Sequence, residues 1–244
     1  MTINRVLSCS LITALLLTGC DIGKREKKEP IKDHVLRTYS KDKKLVSEIP
    51  MKDKKRHGVA KTYYPNGQVN LEIEYVEDRK QGKSRRYYET GLLFQETDYK
   101  NNLTHGAQKK FMADGLQSEA RYEFGKPCTG LIEYSKGKKR TSYPGIVIRV
   151  VDRIQIDGSY ALRLSMTDGA SRTKFYLGEL TQSGCLHNAL MPIPSGSGPN
   201  TAEQKYVLSP GDFYMQELNF IAEVTTRSAN TYLTQKTFHL AIEN

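Results

Sequence analysis

The chain of 244 residues carries 37 Lys+Arg against 27 Asp+Glu, a net charge of +10, with 38% hydrophobic residues, no Trp and four Cys. That is enough apolar material for one or two folded units with cores, and it excludes a disordered or collagen-like chain. The one long apolar run, Val6 to Thr18, is shorter than the roughly 18 to 20 residues that span a bilayer as a helix, so no mature transmembrane helix is expected.

Residues 1–19 have the layout of a secretion signal, with Arg5 as the leading charge, Leu11, Ile12, Leu15, Leu16 and Leu17 as the apolar segment, and small residues before Cys20. Leu17-Thr18-Gly19-Cys20 resembles a bacterial lipobox. The resemblance implies cleavage before Cys20, a diacylglyceryl group on its sulfur and acylation of the new amino terminus. Two acyl chains already anchor a protein stably, so such a chain would stay on a membrane and face the periplasm. Asp21 resembles the residue that retains enterobacterial lipoproteins in the inner membrane, which is favoured here over the outer one.

Without residues 1–19 the chain keeps 36 basic and 27 acidic side chains and three Cys. Cys128 and Cys185 would then lie in a disulfide-permissive compartment, either bridged or as two separate buried thiols. Residues 20–33 are polar and charged without apolar periodicity and form a tether with a typical span of about 20 Å. Charge then divides the remainder: residues 20–143 hold 28 basic and 18 acidic side chains, residues 144–244 hold 8 and 9. Two segments with different roles are expected.

The first of these, residues 34–143, is repetitive. Gly58, Gly82, Gly106 and Gly130 are spaced by 24, and Gly67, Gly91 and Gly115 follow the first three by nine residues. Tyr63-Tyr64, Tyr87-Tyr88 and Phe111 keep the same register, as do Tyr75, Tyr99 and, one residue early, Tyr122. Tyr39, Leu45, Glu48 and Ile49 match Tyr63, Val69, Glu72 and Ile73, which adds a degraded unit at the start. Each unit reads as a β-hairpin. Asn66-Gly67 and Asp114-Gly115 are tight-turn dipeptides, and Val69, Leu71, Ile73 and Tyr75 alternate with Asn70, Glu72 and Glu74. The second glycine of each unit is expected to mark the turn into the next hairpin, giving one long antiparallel meander.

Gly-x4-Tyr-Tyr-Pro-Asn-Gly followed by an alternating strand and a closing x-Gly resembles the bacterial variant of the MORN repeat, over about residues 57–137. The resemblance implies an array of β-hairpins used for binding, in a group whose bacterial members include antitoxin-like and immunity-like proteins beside secreted toxins. The third unit departs from the pattern, with Phe111-Met112 in place of the Tyr pair, which leaves its local register open.

From Pro144 the chain changes to short β-branched runs: 146–153, 160–166, 172–180, 186–191, 204–208, 216–226 and 231–242. Seven strands in about 100 residues suggest a β-sandwich of immunoglobulin-like size over residues 144–244. The Pro, Gly and Ser-rich stretch Pro192 to Asn200 is expected to be a long loop and a possible binding element.

Nothing in the sequence has the form of a catalytic or metal centre. Pro194-Ser195-Gly196-Ser197-Gly198 is not a nucleophile elbow, and His34, His57, His105, His187 and His239 lack patterned Cys, Asp or Glu partners. The expectation is an all-β, non-enzymatic protein without cofactor or metal. Tyr and Arg are enriched at binding hot spots, so Tyr63, Tyr64, Arg85, Tyr87, Tyr88 and Lys109 are the candidate partner-binding residues. Basic residues interleaved with Tyr would also suit nucleic acid, but export and lipidation argue against that partner. The remaining readings are a protein surface, an anionic lipid, or a solvated sheet face with no partner; the expected partner is a protein, a secreted toxin such as a type VI secretion phospholipase, held off by an immunity protein. The alternative is an envelope scaffold that binds a resident membrane complex.

Overall fold

A computed structural model describes residues 33–170 and 172–244. The expected signal segment, the lipobox-like stretch with Cys20, Asp21 and the expected tether up to residue 32 lie outside the described residues. The array contains β1 (His34–Tyr39), β2 (Leu45–Lys52), β3 (Lys55–Arg56), β4 (Gly58–Tyr63), β5 (Val69–Val76), β6 (Arg79–Tyr87), β7 (Leu93–Lys100), β8 (Leu103–Met112), β9 (Gly115–Glu123), β10 (Lys126–Pro127), β11 (Ile132–Ser135) and β12 (Lys138–Lys139). Ten of them pair in the order β1-β2-β4-β5-β6-β7-β8-β9-β11-β12, with β3 on β2 and β10 on β9. This is the expected meander of consecutive antiparallel hairpins.

The 24-residue period recurs in the backbone. Strand register shifts recur at Tyr39, Tyr63, Tyr87 and Phe111, and a second set falls at Ile73/Tyr75 and Thr97/Tyr99, also 24 residues apart. At one end of the hairpins Tyr64 N donates to Gln68 O and Tyr88 N to Leu92 O, both at 2.8 Å, and Gly67 and Gly91 take the positive φ that closes these loops. At the other end the turns are two-residue loops, Asp53-Lys54, Glu77-Asp78, Asn101-Asn102 and Phe124-Gly125, with both residues at positive φ as a type I′ turn requires.

Those positions correct the sequence-based placement of the second turn. Gly82 and Gly106 lie inside β6 and β8 rather than at a turn. A Cβ on Gly106 would stand 2.9 Å from Asp98 Oδ2 and 3.0 Å from Asp98 Cβ, and at Gly82 it would meet the Glu74 carboxylate. The glycine therefore gives room to an acidic side chain eight residues earlier, while the turn itself sits in dipeptides that mostly lack glycine.

The C-terminal part contains β13 (Ile146–Arg153), a single helical turn α1 (Ile154–Asp157), β14 (Ser159–Met166), β15 (Thr173–Leu177), β16 (Met191–Pro192), β17 (Ala202–Val207), β18 (Phe213–Thr225) and β19 (Thr231–Glu243). Its sheets, β13-β14-β17 and β16-β15-β18-β19, face each other across a core of Leu162, Leu164, Phe175, Phe220, Ala222, Val224, Leu240 and Ile242. Residues 186–191 do not form the expected strand apart from Met191. Cys185 is instead tied to Cys128, Leu186 N donates to Pro127 O at 3.0 Å, and Leu186 and Leu190 bury against Ile221 and Leu233 on the outer side of β18 and β19.

The two segments share their core, since Ala120 and Leu131 of the array belong to the cluster that fills the sandwich. The β18–β19 tip then docks on the last array strands. Glu133, only 7% exposed, accepts from Thr226 Oγ1 and Asn230 Nδ2, both at 2.8 Å, and from Arg140 Nη1 at 3.2 Å. A carboxylate this buried is tolerated because three donors surround it.

Candidate interaction surface

Strand alternation sorts the array into two faces. Leu71, Ile73 and Tyr75 share one face with Thr97, Ser118 and Ala120, and the C-terminal tip covers its β8–β11 end. The other face carries a single row of directly opposed residues crossing eight strands: Arg37, Glu48, Lys61, Glu72, Arg85, Glu96, Lys109 and Glu119. Charge alternates at every step. Opposite charges facing each other across strands stabilise a sheet, where like charges in the same positions would repel.

Most of the row is in contact. Arg37 Nε lies 2.7 Å from Glu48 Oε1, Lys61 Nζ 3.0 Å from Glu72 Oε1, Arg85 Nε 2.8 Å from Glu96 Oε2, and Lys109 Nζ 3.8 Å from Glu119 Oε2. Lys83, beside Arg85 on the same strand, adds bonds to Glu96 at 2.7 Å and Asp98 at 3.1 Å.

Tyrosine hydroxyls complete the acceptor shell. Tyr63 donates to Glu48 Oε2 at 2.7 Å and Tyr87 to Glu72 Oε2 at 2.9 Å. The third unit has Phe111, which cannot donate, and there Glu96 is satisfied by Lys83 and Arg85 instead. Burial and then the hydrogen bond to Glu48 push the Tyr63 hydroxyl up to about 12. The same two causes, with Glu72 as acceptor, raise Tyr87. Hydrogen bonds from Lys83 and Arg85, opposed by partial burial, hold Glu96 below the ordinary carboxylate range.

The structure thus brings Tyr63, Arg85, Tyr87 and Lys109 onto one face. Tyr64 and Tyr88 start the loops at the hairpin ends, and each reaches one unit ahead, Tyr64 OH to Tyr87 O at 2.8 Å and Tyr88 OH to Phe111 O at 3.0 Å. These two brace neighbouring units. Sequence reasoning did not single out the carboxylates of the row, although Glu48, Glu72 and Glu96 repeat at the same spacing of 24. The side chains of Arg85 and Lys109 remain 37% and 38% exposed, so the face is reachable by a partner. Every arginine in the row has donors beyond the one its glutamate uses.

The remaining sequence candidates fall elsewhere. Cys128 and Cys185 are joined as a disulfide that links the segment after β10 to the loop before residue 186. The Pro192 to Asn200 stretch is pinned at several points: Ile193 N to Phe175 O at 2.9 Å, Gly196 N to Thr201 O at 2.8 Å, and Arg163 Nη2 to Ser197 Oγ at 2.8 Å. Among the described residues no group of three or more His, Cys, Asp or Glu is placed to hold a metal ion, and no helix is long and apolar enough to cross a membrane.

Comparison with curated proteins gives no match. Residues 56–77 and 80–101 match the MORN repeat variant family model. Each matched stretch covers one hairpin, β4–β5 and β6–β7, so the central units of this array are similar to MORN repeat variants.

Proposed function

We propose that the protein is a non-enzymatic, lipid-anchored binding protein of the bacterial envelope, facing the periplasm, and that it serves as an immunity protein against a secreted toxin such as a type VI secretion phospholipase. The mechanism is stoichiometric occlusion. The array lays its tyrosine and arginine face over the active-site entrance or the membrane-docking surface of the toxin, and the anchor at Cys20 raises the local concentration of inhibitor where a membrane-attacking enzyme arrives.

The observation that carries this reading is the fixed presentation of Tyr63, Arg85, Tyr87 and Lys109 on one half-exposed face. Their bonds to Glu48, Glu96, Glu72 and Glu119 hold the side chains in place before a partner arrives, which lowers the entropy lost on binding. The lipobox resemblance supplies the location.

The test is affinity purification of the chain lacking residues 1–20 from cells of its own species, with mass spectrometry of what co-elutes. A stoichiometric hydrolase, particularly a lipase encoded beside it, supports immunity. Recovery of resident envelope assembly components instead overturns it in favour of a scaffold.

A further inference from the structure

β1 is exposed along its whole length, and among the described residues no strand pairs with its outer edge. Which backbone groups face outward follows from Pro50. It has no N–H, and its carbonyl accepts from His57 N at 3.0 Å on the far side of β2. Val35, directly opposite Pro50, therefore turns its own N–H and C=O away from β2, and Arg37 does the same two residues later. An open edge of this kind is a template for another strand. From residue 33 to 37 it contains no proline and no lysine, and its one register shift lies beyond, at Thr38/Tyr39.

A second copy offers the same edge, and antiparallel pairing about a two-fold axis lets few registers bring outward-facing groups together. Setting Arg37 against Arg37 opposes like charges. Setting Val35 against Arg37 leaves that guanidinium without a new acid and places Asp33 against Tyr39, at the register shift. Setting Val35 against Val35 places Asp33 against Arg37 twice. That last register also extends the charged row: Lys61, Glu48 and Arg37 of one copy would be followed by Asp33 of the other. Arg37 uses Nε on Glu48, and its terminal amino groups are donors suited to a second carboxylate.

We propose that two copies of this chain join edge to edge through β1, antiparallel, with Val35 facing Val35 and Asp33 facing Arg37 across the junction. The pairing closes the exposed edge of each array and makes one continuous sheet. With so short a strand the contact is reversible, so covalent capture is the suitable readout. The proposal does not depend on the identity of any toxin.

The full chain carrying Val35→Cys is produced in bacterial cells, treated with a membrane-permeant thiol oxidant and read on a non-reducing gel. The unsubstituted chain alongside accounts for the native cysteines. A disulfide-linked dimer is expected for Val35→Cys and only a trace for Leu36→Cys, whose partner in this register is His34. Adding Arg37→Asp to Val35→Cys sets Asp against Asp at both symmetric positions and should lower the dimer yield about tenfold. Adding Asp33→Arg as well should restore it, which separates lost pairing from lost folding. A Val35→Cys yield no higher than that of the unsubstituted chain, equal capture at Leu36→Cys, or a yield indifferent to Arg37→Asp would each overturn the proposal.

Discussion

The Tyr87 hydroxyl donates a hydrogen bond to Glu72 Oε2 at 2.9 Å, and one repeat earlier the Tyr63 hydroxyl does the same to Glu48 Oε2 at 2.7 Å. Each bond joins a strand end to the charged row on the neighbouring strand of the sheet. Tyr87→Phe deletes one hydroxyl from a half-buried site and should lower unfolding free energy by about 1 kcal/mol. In a double-mutant cycle with Glu72→Gln the coupling should be of similar size. Coupling near zero in denaturant melts would mean that the contact is incidental.

Tyr63 also gives the array an alkaline limit. Its hydroxyl titrates near 12 in the folded chain against about 10 when unfolded. A pKa raised by folding contributes stability that is fully present below pH about 10 and is lost as pH rises towards about 12. Stability measured across that window should fall, less steeply in Tyr63→Phe. An ultraviolet titration in which Tyr63 ionises with the ordinary tyrosines would contradict this.

On the acid side the sign reverses. Hydrogen bonds from Tyr63 and then Arg37 lower Glu48, and hydrogen bonds from Lys83 and Arg85 lower Glu96. Their contribution is complete above the ordinary carboxylate range and is lost as pH falls through the depressed values. Glu96→Gln should flatten the acid limb of a stability profile and cost about 1 kcal/mol at neutral pH, less at high salt because the site is partly exposed. A profile unchanged by the substitution would remove Glu96 from the account.

Glycine substitutions separate backbone strain from crowding. Gly106 and Gly115 both have positive φ, 116° and 123°, but a Cβ on Gly106 meets Asp98 whereas one on Gly115 meets nothing within 4 Å. Both alanine variants should be destabilised by about 1 to 3 kcal/mol. Gly106→Ala should be the worse because Asp98 Oδ2 also accepts from Ala107 N at 3.0 Å. Equal melting temperatures would contradict that ordering.

The Cys128–Cys185 bridge joins residues 57 apart in sequence, a separation for which loop closure is worth roughly 4 kcal/mol. Reduction, or the double substitution to serine, should destabilise the C-terminal part by about 2 to 4 kcal/mol. Thr129 N to Gly184 O and Leu186 N to Pro127 O, on either side of the bridge, should persist in the reduced chain. An unchanged melting temperature would show the bridge to be dispensable.

The array was legible in the sequence because its marks are local: tyrosines and glycines at 24-residue spacing and apolar alternation in Val69, Leu71, Ile73 and Tyr75. The turns were harder. Asn66-Gly67 is compatible with more than one loop length, and Glu77-Asp78 carries no glycine to advertise its positive φ. The charged row depends on which residues face each other across strands, which repeat spacing indicates within one column and register fixes between columns. The docking of Thr226 and Asn230 on Glu133 joins residues more than ninety positions apart and had no sequence signature. The segment from 186 to 190 looked like a strand because its leucines are buried, but they bury from a loop held by the disulfide.

The proposed occlusion of a toxin by the array is tested most directly by titrating a hydrolase that co-purifies with the chain lacking residues 1–20, following lipid hydrolysis. Activity should fall to the baseline at equimolar inhibitor. The variant Arg85→Ala, Tyr87→Ala should need a large excess while keeping its β-sheet circular dichroism, because Lys83 still serves Glu96 and Lys61 still serves Glu72. Full hydrolase activity in the presence of excess protein would contradict the account.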